Sequence, residues 1–274
     1  MRRVNCIFCG PSNTRIIQEQ SFNDPYLQII NPSYNKSEPC RWVSCEKCGF
    51  VYHDPQLDDE DVRVLYERFR DASFRSESPD EYFDRITSLP NDESENHEKV
   101  TWLRGHLPRE IQPNGLLLDV GCGGGVFIHT FKRLFPGWRA CGVEPTTSFA
   151  NLASRRLSEE VIVGNYSASL FPDKRFDLIS INQVLEHIID PKSFLLDVKQ
   201  DLADGGFIYI EVPDVSDFET LPPEHDRFQA QHLWYFSMPS FSNLCELTDY
   251  KIVAMERQRT YRARNNLRVL LSPC

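Results

Sequence analysis

Leu118-Asp119-Val120-Gly121-Cys122-Gly123-Gly124-Gly125 sits where an apolar run ends and helical spacing begins. Leu116-Leu117-Leu118-Asp119-Val120 reads as a buried parallel strand, which carries no polar face of its own. Val126 to Phe135 follows as a helix and is stopped by Pro136-Gly137. Glycines at 121, 123 and 125 let the chain turn tightly between the two and let a ligand approach without interference from Cβ.

Outward from this junction the strand and helix signals keep alternating. Arg139 to Val143, Val161 to Val163, Phe176 to Ile181 and Phe207 to Val212 read as strands. Thr146 to Leu157, Pro191 to Ala203 and Met238 to Thr248 read as helices, with Gly205-Gly206 ending the second of these. Lys251 to Met255 and Leu267 to Leu271 read as two closing strands. Such alternation predicts an α/β, Rossmann-like doubly wound sheet that binds ligands at the carboxyl ends of its strands, beside the switch point.

The ligand class follows from the acids around the glycines. A dinucleotide fingerprint wants a third glycine where Val126 stands. Asp119, just before the glycines, suits a ligand with a positive ammonium better than a pyrophosphate. Glu144 ends the second strand, 25 residues after Asp119, where a carboxylate can accept both ribose hydroxyls. The competing reading makes Asp119 a helix cap and Glu144 a surface residue.

Asp-Val-Gly-Cys-Gly-x-Gly from 119, Gly-Val-Glu-Pro from 142, Phe-Asp-Leu-Ile from 176, Val-Leu-Glu-His-x-x-Asp-Pro from 184 and Gly-Gly-x-x-x-x-Glu-Val-Pro from 205 resemble the class I S-adenosylmethionine-dependent methyltransferases. The likeness covers residues 100 to about 256. It implies that Asp119 and Gly121, Gly123 and Gly125 hold the methionine end of S-adenosylmethionine and Glu144 the ribose. Asn165 stands where the family usually has an Asp facing the adenine amino group; its carbonyl oxygen can accept the same hydrogen bond. Asn182, ending the fourth strand, borders the sulfonium.

Cys6-x-x-Cys9-Gly10 and Cys45-x-x-Cys48-Gly49 form two matched knuckles, 35 residues apart. Two such corners complete a tetrahedron of thiolates around a structural zinc, which leaves no open position. Cys40 lies outside either knuckle as a substitute ligand. The expected division is a zinc ribbon over 1–56, a helical connector and cleft cover over 57–106, and the Rossmann-like domain over 107–274. In the connector, Asp58 caps a helix from Leu57 to Arg70 carrying Val62, Leu65, Tyr66 and Phe69, residues 71–96 form a loose acidic cover, and a helix runs from about Glu93 to His106. A ribbon followed by Gly-Phe-Val-Tyr-His-Asp-Pro from 49 is similar to those of methyltransferases in deoxysugar and surface-glycan pathways, sugar C-methyltransferases above all, whose ribbon helps cover the cleft.

Methyl transfer to a hydroxyl or carbon needs a base, and histidine is the natural choice at neutral pH. His187 follows the fourth strand beside Glu186, which can orient it. His232 precedes Tyr235-Phe236-Ser237, and His225 lies in a loop. The sugar C-methyltransferases place a Glu-His pair before a similar Tyr-Phe-Ser run; here His232 matches but Gln231 replaces the Glu. Those enzymes also continue into a further domain, whereas this sequence ends on a strand. Both points favour O-methylation. Tyr166 and Tyr235 are candidates to line the cleft. The aromatics from Phe228 to Phe241 read either as a lid over a sugar ring or as core.

A net charge of -10 opposes broad nucleic-acid binding, which needs surplus Lys and Arg. Arg257, Arg259, Arg262, Arg264 and Arg268 cluster near the end and read as a solvated face rather than a phosphate site. No apolar run approaches a membrane span, no secretory signal opens the chain, and paired thiols then fit metal in a reducing cytoplasm better than disulfides. The predicted function is methyl transfer to a small-molecule, sugar-containing substrate, with a nucleotide-linked sugar as a candidate and O-methylation favoured over C-methylation. The rivals are a nicotinamide oxidoreductase, opposed by Asp119 and Val126, and a non-catalytic module that binds cofactor and docks a partner.

Overall fold

The computed structural model describes residues 2–20, 25–30, 39–68, 77–111, 113–222, 225, 227–261 and 263–274. Phe69, the stretch 70–76, Pro223, Glu224 and Arg262 therefore lie outside the described residues. Two sheets organise the rest. The smaller joins β1 (Thr14–Gln20), β2 (Cys40–Cys45), β3 (Val51–Asp54) and β9 (Trp234–Tyr235), antiparallel throughout. The larger has the order β10-β11-β8-β7-β4-β5-β6. In it β4 (Gly115–Val120), β5 (Trp138–Glu144), β6 (Glu160–Val163), β7 (Phe176–Asn182) and β8 (Leu202–Pro213) are parallel. Strand β11 (Asn265–Pro273) runs antiparallel to both β8 and β10 (Tyr250–Arg259).

The parallel strands form because both of their faces are covered. Side chains alternate across a strand, so Leu117 packs with Val100, Phe127 and Phe131 on one face, and Leu118 with Ile179, Leu195 and Phe241 on the other. The first cover comes from α4 (Glu95–His106) and α5 (Val126–Leu134), the second from α7 (Pro191–Gln200) and α8 (Met238–Leu247). Each fully buried Leu or Phe contributes roughly 1.5–3 kcal/mol. The order places the switch point between β4 and β7: the chain builds outward through β5 and β6, then returns to the other side of β4.

Several sequence expectations are corrected. Residues 71–96 are not all loose cover, because Ser78 and Glu81 form a reciprocal capping box that starts α3 (Pro79–Thr87). Helix α7 ends at Gln200 rather than Ala203, with Asp201 as its cap. Gly205-Gly206 lies inside β8, where Gly205 takes φ +76° and bends the strand. The two closing strands are each several residues longer than their apolar cores predict. The aromatics Phe228, Trp234, Tyr235, Phe236 and Phe241 are core, not a lid. Trp234 stacks on Phe50 with centroids 6.0 Å apart, and Trp42 Nε1 donates to the Tyr235 hydroxyl at 2.7 Å. Phe236 packs between Phe50 and Phe241 of α8, and Trp234 Nε1 donates to the Ile188 carbonyl at 2.7 Å, which fastens the small sheet to the main core. Arg268 is also not on a solvated face; it is 1% exposed.

Candidate functional site

The carboxyl ends of β4, β5 and β7 open onto a cleft of about 430 Å³. Gly121, the first residue of the glycine loop after β4, lines it, whereas Gly123 and Gly124 line a second cavity beside it. Gly121, Gly123 and Gly125 all have positive φ, at +71°, +54° and +83°. A Cβ on Gly121 would stand 2.5 Å from Val184 Cγ2, and one on Gly125 2.6 Å from Leu157 Cδ1. Only glycine satisfies both the dihedral and the space.

Asp119, near the end of β4, is 2% exposed. Its Oδ1 accepts from the Ser180 hydroxyl at 2.6 Å and from Asn182 Nδ2 at 3.4 Å. Burial pushes its pKa up to about 7, against those hydrogen bonds and the charge of Lys99. A neighbouring ammonium would restore the carboxylate. Glu144, which ends β5, accepts the Gly123 amide on Oε2 and the Thr146 amide on Oε1, each at 2.9 Å. It borders the cleft and is not a surface residue. A carboxylate has about four acceptor sites, so lone pairs remain for a diol. Gly164, Asn165 and Tyr166 close the far wall.

A second cavity of about 180 Å³ continues past Gly121, Asn182 and Gln183 to Asp119, Gly123, Lys99, Tyr82 and Tyr261. The two together run along the switch point from Asn165 to Asp119. Lys99 escaped the sequence reading, although a Lys beside Val100 and four residues before Leu103 on one buried helix face was the available signal. Its Nζ lies 2.8 Å from Glu211 Oε1, whose other oxygen takes Arg268 Nε at 2.9 Å. Burial works to raise the Glu211 pKa, but these two cations hold it below the usual carboxylate range.

On the opposite wall, Leu185–His187 forms one 3-10 turn after β7. His187 faces the cleft, and its Nδ1 lies 2.8 Å from the Gln231 carbonyl. Gln231 thus holds His187 through its backbone, a contact its side-chain identity could not reveal. His232 lies behind His187, with ring centroids 4.8 Å apart. Burial and then the nearby His187 lower the His232 pKa well below its usual value. Glu186 is fully buried and its pKa is pushed up to about 8 by that burial. His225 stays apart, accepting the Arg227 amide on Nδ1 at 3.1 Å.

The two knuckles meet in space. One sulfur each from Cys6, Cys9, Cys45 and Cys48 falls within 4.8 Å of the others, with Cys6 Sγ and Cys48 Sγ 3.6 Å apart. Gly10 and Gly49 turn at φ +65° and +73° and donate to Cys6 and Cys45 carbonyls. Burial works to raise the Cys45 pKa, yet hydrogen bonds from Ser12 and the backbone bring it to about 6. Cys40 is not in this group.

A family model described as a methyltransferase domain matches residues 91–255, more than half of the chain. An uncharacterized methyltransferase of Schizosaccharomyces pombe is 28% identical over 134 residues, covering 44% of this chain and 48% of its own. A ubiquinone biosynthesis O-methyltransferase of Bradyrhizobium is 30% identical over 132 residues, with 42% and 50% covered. The chain spans about half the length of the curated relatives it matches. Among solved structures, the 1,6-didemethyltoxoflavin-N1-methyltransferase of Burkholderia thailandensis, with bound 1,6-didemethyltoxoflavin and S-adenosylhomocysteine, superposes with TM-score 0.55 at 19% identity. The match covers 87% of this chain and 96% of that one. At this identity the likeness is one of fold. Among the described residues no helix is long and apolar enough to cross a membrane.

Proposed function

The chain belongs to the methyltransferase-domain family, and from that premise we propose that it binds S-adenosylmethionine along the β4–β7 switch point and methylates a small molecule. The observation that carries this reading is that two carboxylates line two adjoining cavities, which share Gly121, Asn182 and Gln183. Asp119 sits at one end to take the ammonium, and Glu144 sits beside the glycine loop to take the ribose hydroxyls. Asn165 then stands toward the adenine, and Asn182 beside the sulfonium.

When bound, the cofactor supplies an activated methyl group. The chain's own residues align the acceptor and take charge of its proton. Alignment for an in-line displacement accounts for up to roughly 7–11 kcal/mol of barrier lowering. His187 faces the acceptor side with Glu186 buried beside it and His232 behind it, and this group governs the acceptor proton. A hydroxyl is the acceptor favoured, borne on a sugar or nucleotide-linked sugar; an O-methylation outside carbohydrate chemistry, as the ubiquinone-biosynthesis name of the Bradyrhizobium relative suggests, is its rival. The ribbon residues 1–56 hold a structural zinc through Cys6, Cys9, Cys45 and Cys48, and residues 57–106 cover the cleft.

Calorimetric titration of S-adenosylmethionine and S-adenosylhomocysteine tests the core of this reading. Micromolar binding that is lost in Glu144→Ala supports it and opens a screen of nucleotide-sugar and non-carbohydrate hydroxyl acceptors for S-adenosylhomocysteine release. No binding by the wild-type chain would overturn it.

A further inference from the structure

In the Glu186–His187–His232 group, Glu186 and His232 hold more unsatisfied polarity than proton transfer requires. Glu186 is 0% exposed, and neither carboxylate oxygen has a hydrogen-bond partner. His232 Nδ1 is likewise sealed from solvent without a partner. A buried acid left without donors is strongly unfavourable, so an occupant is called for.

The donor set says which occupant. His187 Nδ1 faces the Gln231 carbonyl at 2.8 Å, and a carbonyl can only accept. That nitrogen therefore carries the proton, and Nε2 keeps a lone pair, 3.9 Å from Glu186 Oε1. A metal-bound imidazole makes this same outer contact to fix its tautomer. One ligand atom from each of the three residues lies within 4.8 Å of the other two. Donors about 2.1 Å from one ion stand roughly 3–4 Å apart, so modest side-chain rotations close the set. Two imidazoles and one carboxylate suit zinc, iron or manganese rather than magnesium or calcium. Three protein donors also leave positions open, and His187 lies on the wall of the cleft.

We propose that Glu186, His187 and His232 bind one first-row divalent transition-metal ion, whose open position takes the acceptor oxygen. The proposal rests on the reading of this cleft as the methyl-transfer site. The ion lowers the pKa of the bound hydroxyl, which releases its proton to water. An oxygen lone pair then forms the O–CH3 bond while the S–CH3 bond breaks, and that bonding pair leaves on sulfur as S-adenosylhomocysteine.

Manganese titration followed by electron paramagnetic resonance tests this on the full chain, because soft thiolates retain Mn2+ poorly and the signal reports this site. The expected result is one Mn2+ per chain at micromolar affinity, displaced by zinc. Glu186→Gln and His232→Ala should each weaken it by at least roughly 100-fold, the upper end of what losing an outer contact does. His225→Ala should leave it unchanged. Parallel titration of S-adenosylhomocysteine reports whether each variant keeps a folded cofactor groove. A wild-type chain that binds S-adenosylhomocysteine but no Mn2+ overturns the metal site alone. Equal Mn2+ affinity in a variant that still binds S-adenosylhomocysteine overturns it too. Failure of S-adenosylhomocysteine to bind the wild-type chain overturns the methyltransferase reading instead, and the Mn2+ titration still decides the metal site.

Discussion

The Glu144 carboxylate accepts the Gly123 amide at 2.9 Å, which ties the glycine loop to the end of the neighbouring strand. The same side chain accepts the Thr146 amide at the start of α6 (Thr147–Leu157). Glu144 therefore shapes the loop as well as presenting a charge. In Glu144→Gln the amide oxygen can replace only one of these acceptors, and the charge is gone. Hydrogen bonds to a charged group contribute about 1.5–3 kcal/mol, so S-adenosylhomocysteine affinity should fall roughly 10–150-fold. Calorimetry on both proteins gives the number, and an unchanged affinity would remove Glu144 from the ribose site.

Asp119 predicts the pH dependence of cofactor binding. Burial raises its pKa to about 7 in the free protein, whereas a bound ammonium would lower it. Binding then expels a proton wherever Asp119 is still protonated. Affinity should climb about tenfold per pH unit toward 7 and level off above it. The raised value has the opposite sense for folding: the stability it contributes is present at low pH and lost as pH rises through about 7. Asp119→Asn should bind weakly with no rise between pH 5.5 and 7. A wild-type profile flat over that window would show that Asp119 does not pair with the ammonium.

The legibility of these features in the sequence follows their range. The glycine loop is set by local backbone geometry, and Asp119 and Glu144 stand at or near the ends of consecutive strands, so spacing along the chain pointed to their positions. The Ser78–Glu81 capping box is equally local, but it lay hidden in a stretch read as acidic cover. Arg268 was misplaced because its partners, Glu211 and Glu98, are 57 and 170 positions away. The aromatics from Phe228 to Phe241 stayed open between lid and core for a related reason. Nothing in the sequence shows that Trp234 and Tyr235 pair with Val51 and Tyr52 in the small sheet.

Gly121 offers a test of the loop that does not depend on any acceptor. Its φ of +71° and the 2.5 Å approach of Val184 to a built Cβ act together. The left-handed dihedral costs an alanine about 1–2 kcal/mol and overpacking about 1–3 kcal/mol. Thermal unfolding of Gly121→Ala should come about 4–10 °C earlier. Adding Val184→Ala should relieve the overlap but leave the dihedral cost, so the double variant should recover only in part. A single variant that melts with the wild type would show that the loop adopts another path.

The four-cysteine group makes a prediction that reaches beyond the metal. Four thiolates around one zinc stand roughly 3.8 Å apart, near the 3.6 Å seen between Cys6 and Cys48. A chain isolated with zinc should carry one equivalent there, and Cys48→Ser should lose most of it. The consequence should travel, because β2 leads from the second knuckle's Cys45 back to Trp42, and β3 pairs with β9. Removing the metal should loosen Trp42 against Tyr235 and, through Leu233, which accepts the His53 amide and donates to the Glu186 carbonyl, disturb the acceptor side of the cleft. Near-ultraviolet circular dichroism should therefore lose tryptophan signal on chelation, while S-adenosylhomocysteine binding at β4 and β5 changes little. A chelated protein with an unaltered aromatic spectrum would show that the small sheet holds without zinc. Loss of cofactor binding in parallel would show instead that the metal supports the whole fold.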